Sequence, residues 1–159
     1  MSHWKVSERE ADELFTETKR MLWVMARMAK RRQRFSVDPP LAILDEMWHT
    51  FVLFTREYHA YCRRVFGRYL HHAPRTMADV RRERGEHAKA PAAFIRRQAR
   101  ASEAQWRFIR DVAGEATLLK WYVELPLRYD GEFFRSRSIP VPMSYRPPET
   151  LVALVNRQR

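Results

Sequence analysis

The chain has 159 residues, 45% hydrophobic and 31% charged, a balance that suits one folded domain and excludes a wholly disordered one. Thirty Lys and Arg against nineteen Asp and Glu give a formal charge of +11, which excludes an acidic solvating chain and brings polyanionic partners into consideration. A single cysteine, Cys62, excludes an intrachain disulfide and a Cys-only zinc site, and a reducing cytoplasm is the expected location.

The stretch Met47 to Thr55 is charge-free but far short of the roughly 18 residues a membrane helix needs. The first residues run into Glu8, Glu10, Asp12 and Glu13 without the apolar core of a signal peptide. The charge is concentrated in the middle of the chain. Residues 1–60 and 111–159 are each net +1, whereas residues 61–110 hold thirteen basic and four acidic side chains, net +9. Twenty-five of the thirty basic residues are Arg, which fits phosphate recognition and fits a compositional bias equally well.

Ser7-Glu-Arg-Glu10 reads as a capping box, with Val6 and Ala11 as its hydrophobic staple. The helix that follows carries Ala11, Leu14, Thr18, Leu22, Met25 and Ala29 at three- and four-residue steps and is expected to end near Arg32. Asp38-Pro39-Pro40 restarts the chain, with Asp38 placed to cap a second helix bearing Leu41, Leu44, Trp48, Phe51 and Val52. Thr55 is placed to cap a third, with Tyr58, Tyr61, Cys62, Val65, Phe66 and Tyr69 as its stripe and Gly67 within it. Residues 75–100 are Arg-rich, with Gly85 and Pro91, and are expected to form a surface loop with some helix. Ser102-Glu-Ala-Gln105 resembles a second capping box, opening a helix closed by Gly114; another helix follows and stops at Pro126. Beyond Asp130-Gly131 the motifs Ile139-Pro-Val-Pro142 and Arg146-Pro-Pro148 favour extended backbone, and Leu151–Val155 suits a short last helix. The expected fold is all-α: a compact helical bundle of about five helices over residues 1–130, with an extended Pro-rich C-terminal arm over residues 131–159.

One constellation has the residue types of a chemical site. Asp45 and His49 are four apart and share a helix face, and helical spacing places Asp45 among Leu41, Trp48 and Val52. A carboxylate in an apolar stripe needs a partner, because burying an unpaired charge is costly. Cys62 occupies the centre of the next stripe, and His71 or His72 follows within reach of a returning turn. Carboxylate, imidazole and thiolate are ligand types that zinc and iron accept, so Asp45, His49, Cys62 and His71 form the candidate set for a divalent metal (zinc or iron), with Trp48, Tyr58 and His72 lining the pocket. A purely structural polar core built from the same residues is the competing reading; the spacings match no zinc-finger pattern. A Cys–His nucleophile has less to support it, since no oxyanion hole or third group is marked.

Leu44-Asp45-Glu-Met-Trp48-His49-Thr50, then Tyr58, Cys62, Phe66-Gly67 and His71-His72-Ala-Pro74, resembles the signature of the glycine-rich domain-containing protein-like family. Gly114 to Tyr122 and Tyr129 are similar to the later part of its small bacterial members, so the resemblance spans about residues 10–130. It implies an all-helical fold and a role for Asp45, Trp48, His49, Tyr58, Cys62 and His71. With only four glycines the chain lacks the Gly-rich region that names the plant members, and the resemblance implies no reaction.

The basic segment is the second candidate. Arg81, Arg82, Arg84, Arg96, Arg97 and Arg100, with Phe94 and Trp106 interspersed, suit phosphate contact and base stacking, or an acidic protein partner. A solvated segment with internal Arg/Glu pairs is the plainer alternative, and no known nucleic-acid-binding signature accompanies it.

Overall fold

A computed structural model describes residues 6–73 and 76–137; Ile139–Pro142, Arg146–Pro148 and Leu151–Val155 lie outside the described residues. Among those described, the regular structure is helical throughout, so the fold is all-α. No helix among them is long and apolar enough to cross a membrane.

Helix α1 spans Glu8–Lys30 and opens with the expected capping box: the Ser7 hydroxyl accepts from the Glu10 N–H, and the Glu10 carboxylate accepts from the Ser7 N–H at 2.9 Å. A 3-10 turn, Pro39–Leu41, leads into α2, Ala42–Leu53. Asp38 stands at the N-cap of that turn, yet its side chain makes no capping bond; Pro39 sets the entry angle instead. A one-residue corner at Phe54 joins α2 to α3, Thr55–Phe66, so Thr55 is inside the helix rather than capping it. Gly67 ends α3 at φ 71°, a left-handed backbone that favours glycine.

The chain next departs from expectation. From residue 76 onward the segment expected to be a loop with some helix is mostly helical: α4 spans Met77–Lys89 and α5 spans Pro91–Ala113. Thr76 and Asp79 form a capping box for α4, and Pro91 takes an early position in α5, where its missing N–H costs nothing. Ser102 therefore lies in the middle of α5 and starts nothing. Gly114, at φ 90°, closes α5. Helix α6, Glu115–Leu119, runs without a break through a π-helical turn, Lys120–Glu124, into α7, Leu125–Arg128. Pro126 does not stop this helix. The wider π turn falls where its ring would press on the carbonyl four residues back. Asp130 Oδ1 accepts from the Glu132 and Phe133 N–H groups and starts α8, Gly131–Arg137, so the expected extended arm does not begin at residue 131.

Helix α1 forms the spine. It packs against α2, α3 and α5, and its Leu14, Met21, Leu22, Val24 and Met28 are buried with Leu44, Trp48, Tyr58, Cys62, Ile109, Trp121 and Leu125. This core fixes α2 along α1. The Thr18 hydroxyl donates to the Leu44 carbonyl across that contact at 3.3 Å.

Candidate metal site

Asp45 and His49 project from one face of α2, and His72 returns to them from the segment after α3. Asp45 Oδ1 lies 3.1 Å from His72 Nε2, and Asp45 Oδ2 lies 3.8 Å from His49 Nε2. One ligand atom from each of the three residues falls within 4.8 Å of the others. Two ligands about 2.05 Å from a shared tetrahedral ion stand roughly 3.3 Å apart; the 3.1 and 3.8 Å separations bracket that spacing, and the 4.8 Å span of the set would have to close for all three to ligate one ion.

A chain of hydrogen bonds sets His72 in place. Trp48 Nε1 donates to Tyr58 Oη at 3.0 Å, and Tyr58 Oη donates to the Leu70 carbonyl at 2.7 Å. The α2–α3 hairpin thus grips the returning chain two residues before His72. Burial pushes the Tyr58 phenol well above its ordinary pKa, so it remains a donor across the physiological range. The His72 ring then meets the rings of Trp48 and His49 edge-on, each with centroids 4.3 Å apart. On the far side of His49, Nδ1 lies 3.7 Å from Glu46 Oε1. That placement resembles the carboxylate that commonly orients a ligating imidazole.

Several expectations need correcting. The site is not buried: the side chains of Asp45, His49 and His72 are 27%, 44% and 14% exposed. Asp45 stands at the solvent edge of its apolar stripe. Cys62 is fully buried beside Tyr58 and Tyr61 and is not among the gathered ligand atoms. His71 points elsewhere, its exposed ring against Tyr69 with centroids 4.9 Å apart. The fold therefore brings together Asp45, His49 and His72, rather than Asp45, His49, Cys62 and His71. Trp48 meets the His72 ring and donates to Tyr58, and both are buried in the core behind the trio.

An apolar groove of about 330 Å³, lined by Phe15, Met47, Phe51 and Phe54 with Asp12 and Glu57 among its polar residues, opens on the opposite side of α2 and involves none of the trio. One charged cluster escaped sequence reasoning. Glu17 is 4% exposed, accepts from Trp121 Nε1 at 2.9 Å and pairs with Arg20 at 2.8 Å, with Lys120 Nζ 3.5 Å away. Its position in the apolar periodicity of α1 was the available signal. These partners satisfy it, so it holds helices together.

Arg82 pairs with Asp79 and Arg97 with Glu86, while Arg81, Arg84, Arg96 and Arg100 are exposed on α4 and α5.

Comparison with known families matches residues 1–100 to the UCP032817-like family, and the chain belongs to it. The match contains every residue of the trio, and the family description names no activity. It overturns the resemblance to the glycine-rich domain-containing protein-like family. Much of the resembling pattern has a packing explanation: Trp48, Tyr58 and Cys62 are core positions of a helical hairpin, and Gly67 is its left-handed cap. No curated protein and no solved structure matches the chain.

Proposed function

We propose that this member of the UCP032817-like family binds a divalent transition metal through Asp45, His49 and His72. The observation that carries the reading is the approach of three ligand atoms to within 4.8 Å on a scaffold that holds His72 through Trp48 and Tyr58. Two imidazoles and one carboxylate suit zinc and iron(II), and a thiolate is not needed. The exposure of His49 leaves coordination positions facing solvent. A cation held there would offer a Lewis-acid site and would lower the pKa of a bound water.

The test is direct. Chelator-stripped full-length protein is titrated with zinc, and with iron(II) under anaerobic conditions, by calorimetry. One equivalent is expected to bind. His49→Ala, His72→Ala and Asp45→Asn are each expected to weaken binding by a hundredfold or so, and Cys62→Ser to leave it unchanged. Absence of stoichiometric binding by either metal would overturn the proposal and make Asp45–His72 a structural tie between α2 and the returning chain. Loss of binding in Cys62→Ser alone would put the site elsewhere.

A further inference from the structure

Helix α4 and the first half of α5 add almost nothing to the core. No residue of α4 is buried, and the first buried residue of α5 is Gln105, fourteen positions after its start at Pro91. The protruding part is held as a hairpin by contacts between the two helices: Glu86 with Arg97, and the His87 ring against Phe94 at 5.3 Å. Helices gain most of their stability by packing an apolar face, and this hairpin packs little.

The outer surface has a definite pattern. At about 100° per residue, Arg96, Arg100 and Arg107 fall within an arc of roughly 40° on α5, with Arg110 about 40° further round. All four are exposed. The centre of the row lies about 140° from Phe94, which meets α4, and about 100° and 160° from Phe108 and Ile109, which meet the core. Arg96 to Arg107 spans roughly 16 Å of helix axis. Among the described residues no carboxylate pairs with Arg96, Arg100 or Arg107, although Glu103 stands in the same row and Asp111 lies 3.7 Å from Arg110.

The aromatic residues narrow the choice of partner. Phe94 is covered by His87 and by the Arg97 guanidinium, and Trp106 lies against Tyr122 at 5.6 Å. Phe94 therefore presents no free face for an unstacked base, and Trp106, though 41% exposed, stands about 100° round α5 from the arginine row, so the row has no stacking platform of the kind single-strand binding uses. What remains is a row of guanidinium groups along one helix face, interrupted only by Glu103, which suits the regular phosphates of a duplex. We propose that α5 docks on the sugar–phosphate backbone of double-stranded nucleic acid, without reading sequence, through Arg96, Arg100 and Arg107. The site is independent of the metal proposal.

The experiment measures binding of the full chain to a random-sequence 20-base-pair DNA duplex by fluorescence anisotropy over a salt series. Arg96→Gln/Arg100→Gln/Arg107→Gln is compared with Arg63→Gln/Arg64→Gln/Arg68→Gln, which removes the same charge from exposed positions outside the hairpin. Thermal melts confirm that both variants fold. Each lost phosphate contact lowers the slope of log K against log salt by about 0.9, so the α5 variant should lose about 2.7 from the slope and the control much less. Between 50 and 200 mM salt that slope difference amounts to roughly fortyfold in affinity. Equal losses in the two variants would overturn the proposal in favour of general charge attraction. Tighter binding to polyglutamate than to the duplex would replace it with an acidic protein partner, and preference for single-stranded DNA would also defeat it.

Discussion

Two buried tyrosines show how one hydroxyl takes opposite signs in different surroundings. Tyr58 Oη joins Trp48 to the Leu70 carbonyl, so Tyr58→Phe leaves a buried indole N–H and a backbone carbonyl without their partner. The expected cost is about 1–3 kcal/mol in denaturant unfolding. Because Leu70 precedes His72 by two residues, zinc affinity should also fall several-fold. A stability loss with unchanged zinc affinity would show that His72 is positioned by its ring contacts alone. Tyr129 Oη is buried without a hydrogen-bond partner among the described residues, and Arg128 lies over the ring face instead, 5.1 Å from its centroid. Tyr129→Phe removes a desolvated polar atom that makes no hydrogen bond, and should be neutral or stabilising by up to ~1 kcal/mol. A clear loss of stability would mean that the hydroxyl finds a partner in solution.

At the scale of elements, α1 is tied to the π turn by Glu17. Its carboxylate receives Trp121 Nε1 at 2.9 Å and faces Arg20 and Lys120. Glu17→Ala should destabilise by about 1–3 kcal/mol, because it strands a buried indole N–H, whereas Arg20 stays solvated and Lys120 keeps Glu13. A double-mutant cycle with Trp121→Phe isolates that bond; a coupling energy near zero would assign the loss to packing. The same elements show what was legible in the chain. Ser7, Gly67 and Gly114 mark real helix ends, because caps and left-handed turns depend on local chemistry. Ser102 misled because a capping-box pattern can recur inside a helix that has already begun, and the Arg-rich first half of α5, from Pro91, buries no residue that would mark it as helix. Asp45 and His49 were legible as a pair since one helix holds both. The choice of His72 over His71 was not, because it depends on the path of a non-helical segment pinned by Tyr58, a tertiary contact without a sequence period.

Across the whole molecule, the two ends of the described chain are clamped by charge. Lys120 Nζ lies 2.7 Å from Glu13 Oε1, and Arg128 lies 3.1 Å from Glu13 Oε2. Hydrogen bonds from Lys120 and Arg128 hold the Glu13 carboxyl below its ordinary pKa of 4.5, and the bond to Glu13 raises Lys120 above 10.5. A carboxyl lowered on folding stabilises the fold above its ordinary pKa, and that contribution disappears as pH falls through the lowered value. A raised lysine contributes below its ordinary pKa and loses the contribution as pH rises through the raised one. The clamp is therefore intact between about pH 5 and 10 and fails on both sides. Both side chains are partly solvated, so the effect is modest, about 1 kcal/mol or less. In acid a second effect adds to it. With all nineteen carboxylates protonated, the 30 Lys and Arg and six His leave 36 positive side chains and no negative ones, and their repulsion favours the expanded chain. Thermal unfolding should thus show a plateau through neutrality and a steep acid limb. Glu13→Gln should lower the plateau while leaving less to lose below it. Salt separates the two causes, since it weakens the exposed clamp but relieves net repulsion. At about pH 4 added salt should raise Tm, because the excess of 36 positive side chains over the remaining carboxylates outweighs one partly solvated pair. A Tm that falls with salt at that pH would make the clamp, and not the excess of arginine, the term that sets acid stability.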